Sequence, residues 1–384
     1  MQVGVIGGGQ LAWMMATAAQ KLDIELVIQT PSQDDPAVAI ATHTIFAAID
    51  NAEATAHLAE ICDVITFENE FVNLEALAPI EHQLRQKGAG FYPELRSLAP
   101  LLDKYHQRQY LQNLHLPTPR FAALTPTADL SQFGSQFGFP VVLKARRLGY
   151  DGRGTQIIPD LDSLNAVLGQ PGQAADVWLL EEFVPFEREL AVMAARSPQG
   201  EISLYPVVET QQVSQVCRRV FVTSVLQPEV VAQVKAIATQ LLTHLNYVGI
   251  MGIEFFLTAA GKVLVNETAP RTHNSGHYSL DACETSQFEQ QLRAVCGLPL
   301  GSAALTCAGA VMVNLLGYET AAHEYLEQRQ QLEQIGRSHL HWYGKSVSRP
   351  GRKLGHVTVL LEDGQLEKGQ AEAIAQHIEA IWYP

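Results

Sequence analysis

The chain is poor in cysteine: five among 384 residues (Cys62, Cys217, Cys283, Cys296 and Cys307), odd in number, scattered and without a CxxC pair. Neither a disulfide framework nor a cysteine zinc site is supported, and a reducing compartment fits. Positive charge is also scarce, with 26 Lys and Arg against 40 Asp and Glu and a formal charge of −14. Such a chain has no long-range attraction for nucleic acid or an anionic membrane, so an anionic ligand must be held by a local cluster of cations and backbone donors. No run of about 18 apolar residues occurs, and the apolar start has no basic n-region and is broken by glycines. The expectation is a cytoplasmic protein that binds small molecules, with no membrane and no nucleic acid among its partners. Internal repeats and low-complexity tracts are absent as well.

What is present begins with a βαβ pattern. Gln2–Ile6 reads as a short apolar strand, Gly7-Gly8-Gly9 as a tight turn, Gln10–Leu22 as a helix and Glu25–Gln29 as a second strand. Strands at Asp63–Phe67 and Ala89–Tyr92, with the alanine-rich helix Ala52–Ile61 before them, extend this into a doubly wound sheet. Gly7, Gly9 and Ala12 imitate a dinucleotide fingerprint, but that motif wants an acid at the end of the second strand to bind ribose. Gln29-Thr30-Pro31 stands there instead, which leaves the helix N-terminus as a plain anion or substrate site.

Two prolines in Pro117-Thr118-Pro119 mark a linker out of the helix Asp103–Asn113. Beyond it, strands Val141–Arg146, Thr155–Ile158 and Val177–Glu182 predict a small antiparallel sheet with the helix Leu161–Leu168 packed on it. Strands at Glu189–Arg196, Glu201–Val208, Ile250–Thr258 and Lys262–Asn266, with helices at Glu229–Leu245, Ser286–Cys296 and Gln370–Ile381, predict a larger third unit. The expected division is an N-terminal Rossmann-like domain over 1–100, a linker helix and lid subdomain over 101–188, and a mixed catalytic domain over 189–384 ending in a small sheet and helix. The fold class is α/β combined with α+β.

Four segments carry chemistry. Arg147-Leu148-Gly149-Tyr150-Asp151-Gly152-Arg153-Gly154 follows an apolar strand that contains Lys144. Glycines let successive N–H groups converge on an anion and the lysine adds a point charge, as a phosphate lid requires; by itself such a loop is also an ordinary glycine-rich turn. Glu254 and Glu267 flank a hairpin whose turn lies near Ala260-Gly261, and a turn centred between those two residues sets the acids face to face. Like charges so placed cost energy unless hard cations sit between them; a solvated sheet face is the other reading. Trp178–Val184 resembles a strand running into a hinge that could offer main-chain groups to an adenine edge, with Glu189 nearby for ribose. Arg271-Thr272-His273-Asn274-Ser275-Gly276-His277 and Lys345–Lys353, the latter with Lys345, Arg349, Arg352 and Lys353, are suited to an oxyanion and to a second phosphate. Each could also be a solvated polar loop.

Together these segments resemble the ATP-grasp superfamily and, within it, the 5-(carboxyamino)imidazole ribonucleotide synthetases of purine biosynthesis. The resemblance spans nearly the whole chain. It rests on Gly7-Gly8-Gly9-Gln10-Leu11, on Asp63–Thr66 with Glu68 and Glu70, on the lid Gly149–Gly154, on Asn266–His277 and on Gly351-Arg352-Lys353-Leu354-Gly355-His356-Val357. It implies an ATP-grasp fold and a ligase that phosphorylates bicarbonate with ATP, then carboxylates the amine of aminoimidazole ribonucleotide. On that resemblance Lys104 and Lys144 contact nucleotide phosphates and the lid Gly149, Tyr150, Asp151, Gly152, Arg153, Gly154 and Thr155 covers them. Glu181, Glu182, Phe183, Val184 and Glu189 hold adenosine. Glu254 and Glu267, beside Asn266, ligate two Mg²⁺, for which Mn²⁺ can substitute. Arg271, His273 and Asn274 hold the bicarbonate-derived group, and Gln10, Glu70, Tyr150, Asp151, Lys345, Arg352 and Lys353 hold the ribonucleotide. A homodimer joined through the first and third units is implied too. The chain departs from the family at Glu209-Thr210-Gln211-Gln212, where many relatives carry a histidine, and at Ala269, where the superfamily pattern has asparagine.

Overall fold

The structure, a computed structural model, describes residues 1–124, 134, 136–147, 149, 154–168, 177–223, 226–363 and 368–384. The N-terminal unit is a five-stranded parallel sheet in the spatial order His43–Phe46, Glu25–Thr30, Gln2–Ile6, Val64–Phe67 and Gly90–Phe91. Its inner strands are buried on both faces, which is why they read as continuous apolar runs rather than alternating ones. Strand order reverses beside Gln2–Ile6, and the turn Gly7–Gly9 leaves the sheet at that reversal, where open α/β sheets bind ligands. The single helix expected over Gln10–Leu22 is two, Gln10–Trp13 and Ala16–Lys21. The break is local: Met15 donates to the carbonyl of Ala12, three residues back, and both Met14 and Met15 turn into the core.

A four-stranded antiparallel sheet follows, in the order Phe121–Ala123, Trp178–Glu182, Val141–Ala145 and Thr155–Ile158. The helix Leu161–Leu168 inserts Leu164 into its core beside Val141, Leu143 and Trp178.

The central sheet has nine strands. Its order runs Val263–Ala269, Gly249–Thr258, Phe186–Arg196, Val208–Val213, Val216–Val222, Gly309–Leu316, Lys353–Leu361 and Ser338–Trp342, with Ile202–Leu204 pairing Phe186–Arg196 to one side. The strand expected over Glu201–Val208 is thus split, and Pro206 lies in the gap, a residue with no N–H for a ladder. The strands Gly309–Leu316 and Lys353–Leu361 lie outside the sequence expectations because nearly every residue in them is buried, so no alternation announces them. The C-terminal helix Lys368–Trp382 closes their face with Ala371, Ala375, Ile378 and Trp382. Phe288, Leu292 and Tyr343 pack into the same cluster as Val3, Val5 and Met15, which seats the N-terminal sheet on the central unit.

Candidate active site

Glu254 does pair with Glu267, but for a reason the turn alone does not supply. Counting from the hairpin, Leu257 faces Val263, Phe256 faces Leu264 and Phe255 faces Val265, a register that would set Glu254 against Asn266. A β-bulge at Asn266 shifts the pairing by one and brings Glu267 opposite Glu254. Bulges re-aim side chains, and here two consecutive residues serve one site: Lys144 Nζ donates to Asn266 Oδ1 at 3.0 Å, and Lys104 Nζ donates to Glu267.

Burial dominates the charge state of the acids in this pocket. Burial, then the neighbouring Glu267 and Glu189, push the Glu254 carboxyl up to about 8. Burial pushes Glu189 up to about 7. Burial acts on Glu267 in the same sense, yet Lys104 and then Lys144 hold it below the usual carboxylate range. A buried carboxyl pushed up to about 8 facing one held low by lysines offers oxygen ligands for a hard divalent cation, so Glu254, Glu267 and the Asn266 amide fit Mg²⁺.

Beside it, the carboxylate of Glu181 is held by two cations. Its carboxylate accepts from Arg108 Nε at 2.5 Å and from Lys144 Nζ at 2.8 Å; although burial opposes ionisation, Arg108 and then Lys144 bring it down to about 2. Burial pulls Lys144 below the usual lysine range, with Glu181 acting against it. Arg108 also donates to the carbonyls of Val265 and Asn266 at 3.1 and 2.6 Å, so it grips the bulged strand. Sequence reasoning passed over Arg108, although one helical turn separates it from Lys104 on the same face. Glu182 likewise turns its carboxylate to Arg120, at 2.8 Å from the backbone N–H and 2.6 Å from Nε. What the hinge presents outward is Phe183 and Phe186, the latter stacked on Phe256 at 4.6 Å and 5°, whereas Val184 is buried. Of the lid, Thr155 opens the strand that pairs with Lys144, Gly154 lies in the turn before it and accepts from Ala145 N–H at 2.6 Å, and Gly149 is exposed only in part; Tyr150, Asp151, Gly152 and Arg153 lie outside the described residues.

The residues expected to hold the second substrate gather where the N-terminal and central sheets meet. Arg271 forms a bidentate pair with Glu70 at 2.6 and 3.3 Å. Lys345 Nζ donates to Gln10 Oε1 at 2.5 Å and to the carbonyl of Lys353 at 2.8 Å. Arg352 donates to the Val347 carbonyl at 2.6 Å; burial and then Arg349 pull it below the usual arginine range, with Asp35 acting against them. His273 lies between the two halves, its Nδ1 3.7 Å from Glu254 Oε1 and 2.9 Å from Ser275 Oγ. Burial, then Arg271 and Lys353, bring it down to about 3, so it is neutral.

One expectation is corrected here. The helix N-terminus at Gly9 is not a vacant anion site, because Glu68 fills it, accepting from the N–H groups of Gly9, Leu11 and Ala12 at 2.7, 3.0 and 3.5 Å. The glycines make room for that carboxylate: a Cβ on Gly7 or Gly9 would lie 2.6 or 2.5 Å from its oxygens. Asn274, expected to hold the bicarbonate-derived group, has its carboxamide paired reciprocally with that of Asn314 at 2.7 and 2.8 Å, which leaves it one N–H to offer. Among relatives' departures, the stretch Glu209–Gln212 is occupied by its own contacts: Glu209 pairs with Arg188 and Gln211 accepts from Arg219.

Comparison with known proteins fits this geometry. The ATP-grasp domain model matches residues 109–288, the ribonucleotide synthetase preATP-grasp domain 1–98, and the phosphoribosylaminoimidazole carboxylase C-terminal domain 310–368. The N5-carboxyaminoimidazole ribonucleotide synthase of Synechocystis sp. is 52% identical over 396 residues, covering 100% of this chain and 98% of that protein. Its namesake from Synechococcus elongatus is 53% identical over 382 residues, covering 99% and 95%. The crystal structure of Aspergillus clavatus N5-carboxyaminoimidazole synthase in complex with ADP and 5-aminoimidazole ribonucleotide is similar with a TM-score of 0.88 at 27% identity, over 99% of this chain and 98% of that one. No helix among the described residues is long and apolar enough to cross a membrane. With a preATP-grasp sheet, an ATP-grasp core and a matching terminal domain in one chain, the protein belongs to the N5-carboxyaminoimidazole ribonucleotide synthase family of the ATP-grasp superfamily.

Proposed function

We propose that this chain is an ADP-forming ligase that carboxylates the exocyclic amine of 5-aminoimidazole ribonucleotide with bicarbonate and ATP, yielding N5-carboxyaminoimidazole ribonucleotide in purine biosynthesis. One observation carries the reading: a buried pair of facing acids, Glu254 and Glu267, set beside Lys104 and Lys144, adjoins through His273 a second set of polar groups, Arg271, Glu70, Lys345 and Gln10. One set suits a triphosphate and the other a phosphorylated acceptor.

Lys104 and Lys144 hold the phosphates of ATP while Phe183, Val184 and Glu189 border the adenosine. A divalent cation, Mg²⁺ or Mn²⁺, held by Glu254 and Glu267 with Asn266, would offset the charge of the phosphates. A bicarbonate oxygen attacks the terminal phosphorus, the bond to the ADP oxygen breaks, and carboxyphosphate results. Arg271 and neutral His273 position that group by hydrogen bonds. The amine nitrogen then attacks its carboxyl carbon, or CO₂ released from it in place; phosphate leaves and takes up the amine proton. Gln10, Glu70, Lys345, Arg352 and Lys353 orient the ribonucleotide, with Tyr150 and Asp151 of the lid. Shielding the short-lived intermediate from water is the reason to enclose both substrates together. We infer further that the enzyme works in the cytoplasm as a homodimer, which sedimentation would test.

The test is ADP release measured with each substrate omitted in turn. ADP formation that needs both bicarbonate and aminoimidazole ribonucleotide supports the reading. ADP formation that accepts glycinamide ribonucleotide equally well makes the chain a different carboxylate–amine ligase, and nicotinamide binding without ATP binding overturns it.

A further inference from the structure

The loop Arg271–His277 runs along the central sheet with little room. A Cβ on Gly252 would lie 2.6 Å from the His273 Cβ, and one on Gly276 would lie 2.5 Å from Met193 Cγ and 2.8 Å from Gln287 Oε1. Gln287, the first residue of the helix Gln287–Val295 and fully buried, grips this loop with one carboxamide. Its Oε1 accepts from the backbone N–H of His273 at 2.9 Å and its Nε2 donates to the carbonyl of the same residue at 2.8 Å. It thus pairs with His273 as a neighbouring strand would. The same Nε2 lies 2.9 Å from His277 Nδ1. Its own backbone N–H is tied to Ser279 Oγ at 2.9 Å, and that hydroxyl donates to the Gly276 carbonyl at 2.6 Å.

The chemistry leaves one protonation pattern. A backbone donor and a backbone acceptor together fix which end of the amide is oxygen, so Nε2 is a donor toward His277 and His277 Nδ1 must accept. His277 is fully buried and held neutral by that burial, and its proton therefore sits on Nε2, which has no hydrogen-bond partner among the described residues. A tautomer that leaves its own N–H unsatisfied is imposed from outside.

We propose that Gln287 is a positioning residue for the carboxylation step: it sets the backbone of His273, and with it the approach of Arg271 and His273 to the bicarbonate-derived group, and it dictates the Nε2–H tautomer of His277. The assignment rests on the ligase reading for its kinetic part only; the tautomer is a property of the folded chain.

Two measurements test it. Nitrogen NMR on protein labelled at histidine should show His277 with a protonated Nε2 and a bare Nδ1 in the unsubstituted protein; a protonated Nδ1 overturns the assignment whether or not any variant folds and whatever the enzyme's substrate. Gln287→Glu keeps the shape and the acceptor to His273 N–H but turns the donor into an acceptor. Its kcat should fall about ten to a hundredfold while KM for ATP stays within about twofold. Because a protonated glutamic acid regains one donor, the ratio of variant to unsubstituted kcat should rise as pH falls. An unchanged kcat, a loss confined to KM for ATP, or a ratio independent of pH refutes the positioning role. Absence of bicarbonate-dependent turnover in the unsubstituted protein would instead overturn the ligase reading and leave the tautomer result standing.

Discussion

Lys104 stands where charge is needed before any ligand arrives. Its ammonium bonds Glu267, one of the two acids proposed for the metal, and offsets part of the repulsion between Glu254 and Glu267. On that proposal a metal ion alone must displace it, whereas Mg²⁺ arriving with ATP would give the ammonium a phosphate to move to. Lys104→Met is therefore expected to strengthen binding of Mn²⁺ alone several-fold, followed by electron paramagnetic resonance, and to weaken ATP; weaker binding of Mn²⁺ alone would show that Lys104 is no competitor. Glu181 illustrates the opposite case, a carboxylate with two cations, Arg108 and Lys144. Glu181→Gln leaves both buried without a counter-charge and should cost about 3–5 kcal/mol in urea unfolding at neutral pH. The pH dependence has a definite sign. Because the folded carboxyl is depressed to about 2 from 4.5, its contribution is full above the unfolded value and lost as pH falls toward the folded one, so the gap between variant and unsubstituted protein narrows in that window. A gap that does not change with pH would mean that packing, not charge, is at stake. Neither ion pair was legible in the sequence, since Arg108 and Glu181 lie 73 positions apart and nothing local marks them as partners.

At the scale of elements, glycine-rich turns and facing strands were readable, and what they enclose was not. The run Gly7-Gly8-Gly9 signalled a close approach, but the approaching group proved to be Glu68 from the neighbouring strand end rather than a ligand. Gly9 has φ −77°, open to any residue, so its requirement is space alone. Gly9→Ala should lose about 1–3 kcal/mol through overpacking and the disturbed Glu68 cap. If the clash with Glu68 is the cause, adding Glu68→Ala should restore part of the loss, and a double-mutant cycle in thermal unfolding measures the coupling; additive losses would place the cause elsewhere. The hairpin gives the converse lesson. The apolar residues of Ile250–Thr258 and Lys262–Asn266 announced two paired strands, but the bulge at Asn266 that sets Glu254 against Glu267 has no glycine to mark it. Arg108, donating to both carbonyls at the bulge, is the long-range contact that makes it affordable.

For the molecule as a whole, the half of the site proposed for the nucleotide is built by the small and central sheets, and the half proposed for the ribonucleotide by the N-terminal and central sheets. Glu70 meets Arg271, and Gln10 meets Lys345, only if these last two sheets keep a fixed spacing. Apolar packing of Phe288 and Leu292 against Val3 and Val5 supplies adhesion, but adhesion without direction does not set a register. Gln291 does: buried between the sheets, it donates to Thr66 Oγ1 at 2.7 Å on one side and accepts from Ile250 N–H at 2.6 Å on the other. Replacing it with leucine keeps the volume and orphans a buried backbone N–H, at about 1–3 kcal/mol. Were Gln291 merely a stability element, Gln291→Leu would lower the melting temperature and leave KM values alone. Because it sets spacing, KM for aminoimidazole ribonucleotide should rise about tenfold while KM for ATP, proposed to be held by Lys104 and Lys144, which Gln291 does not touch, stays within about twofold. Equal rises in both would show that the sheets do not move against one another as separate bodies and that the loss is general loosening of the fold.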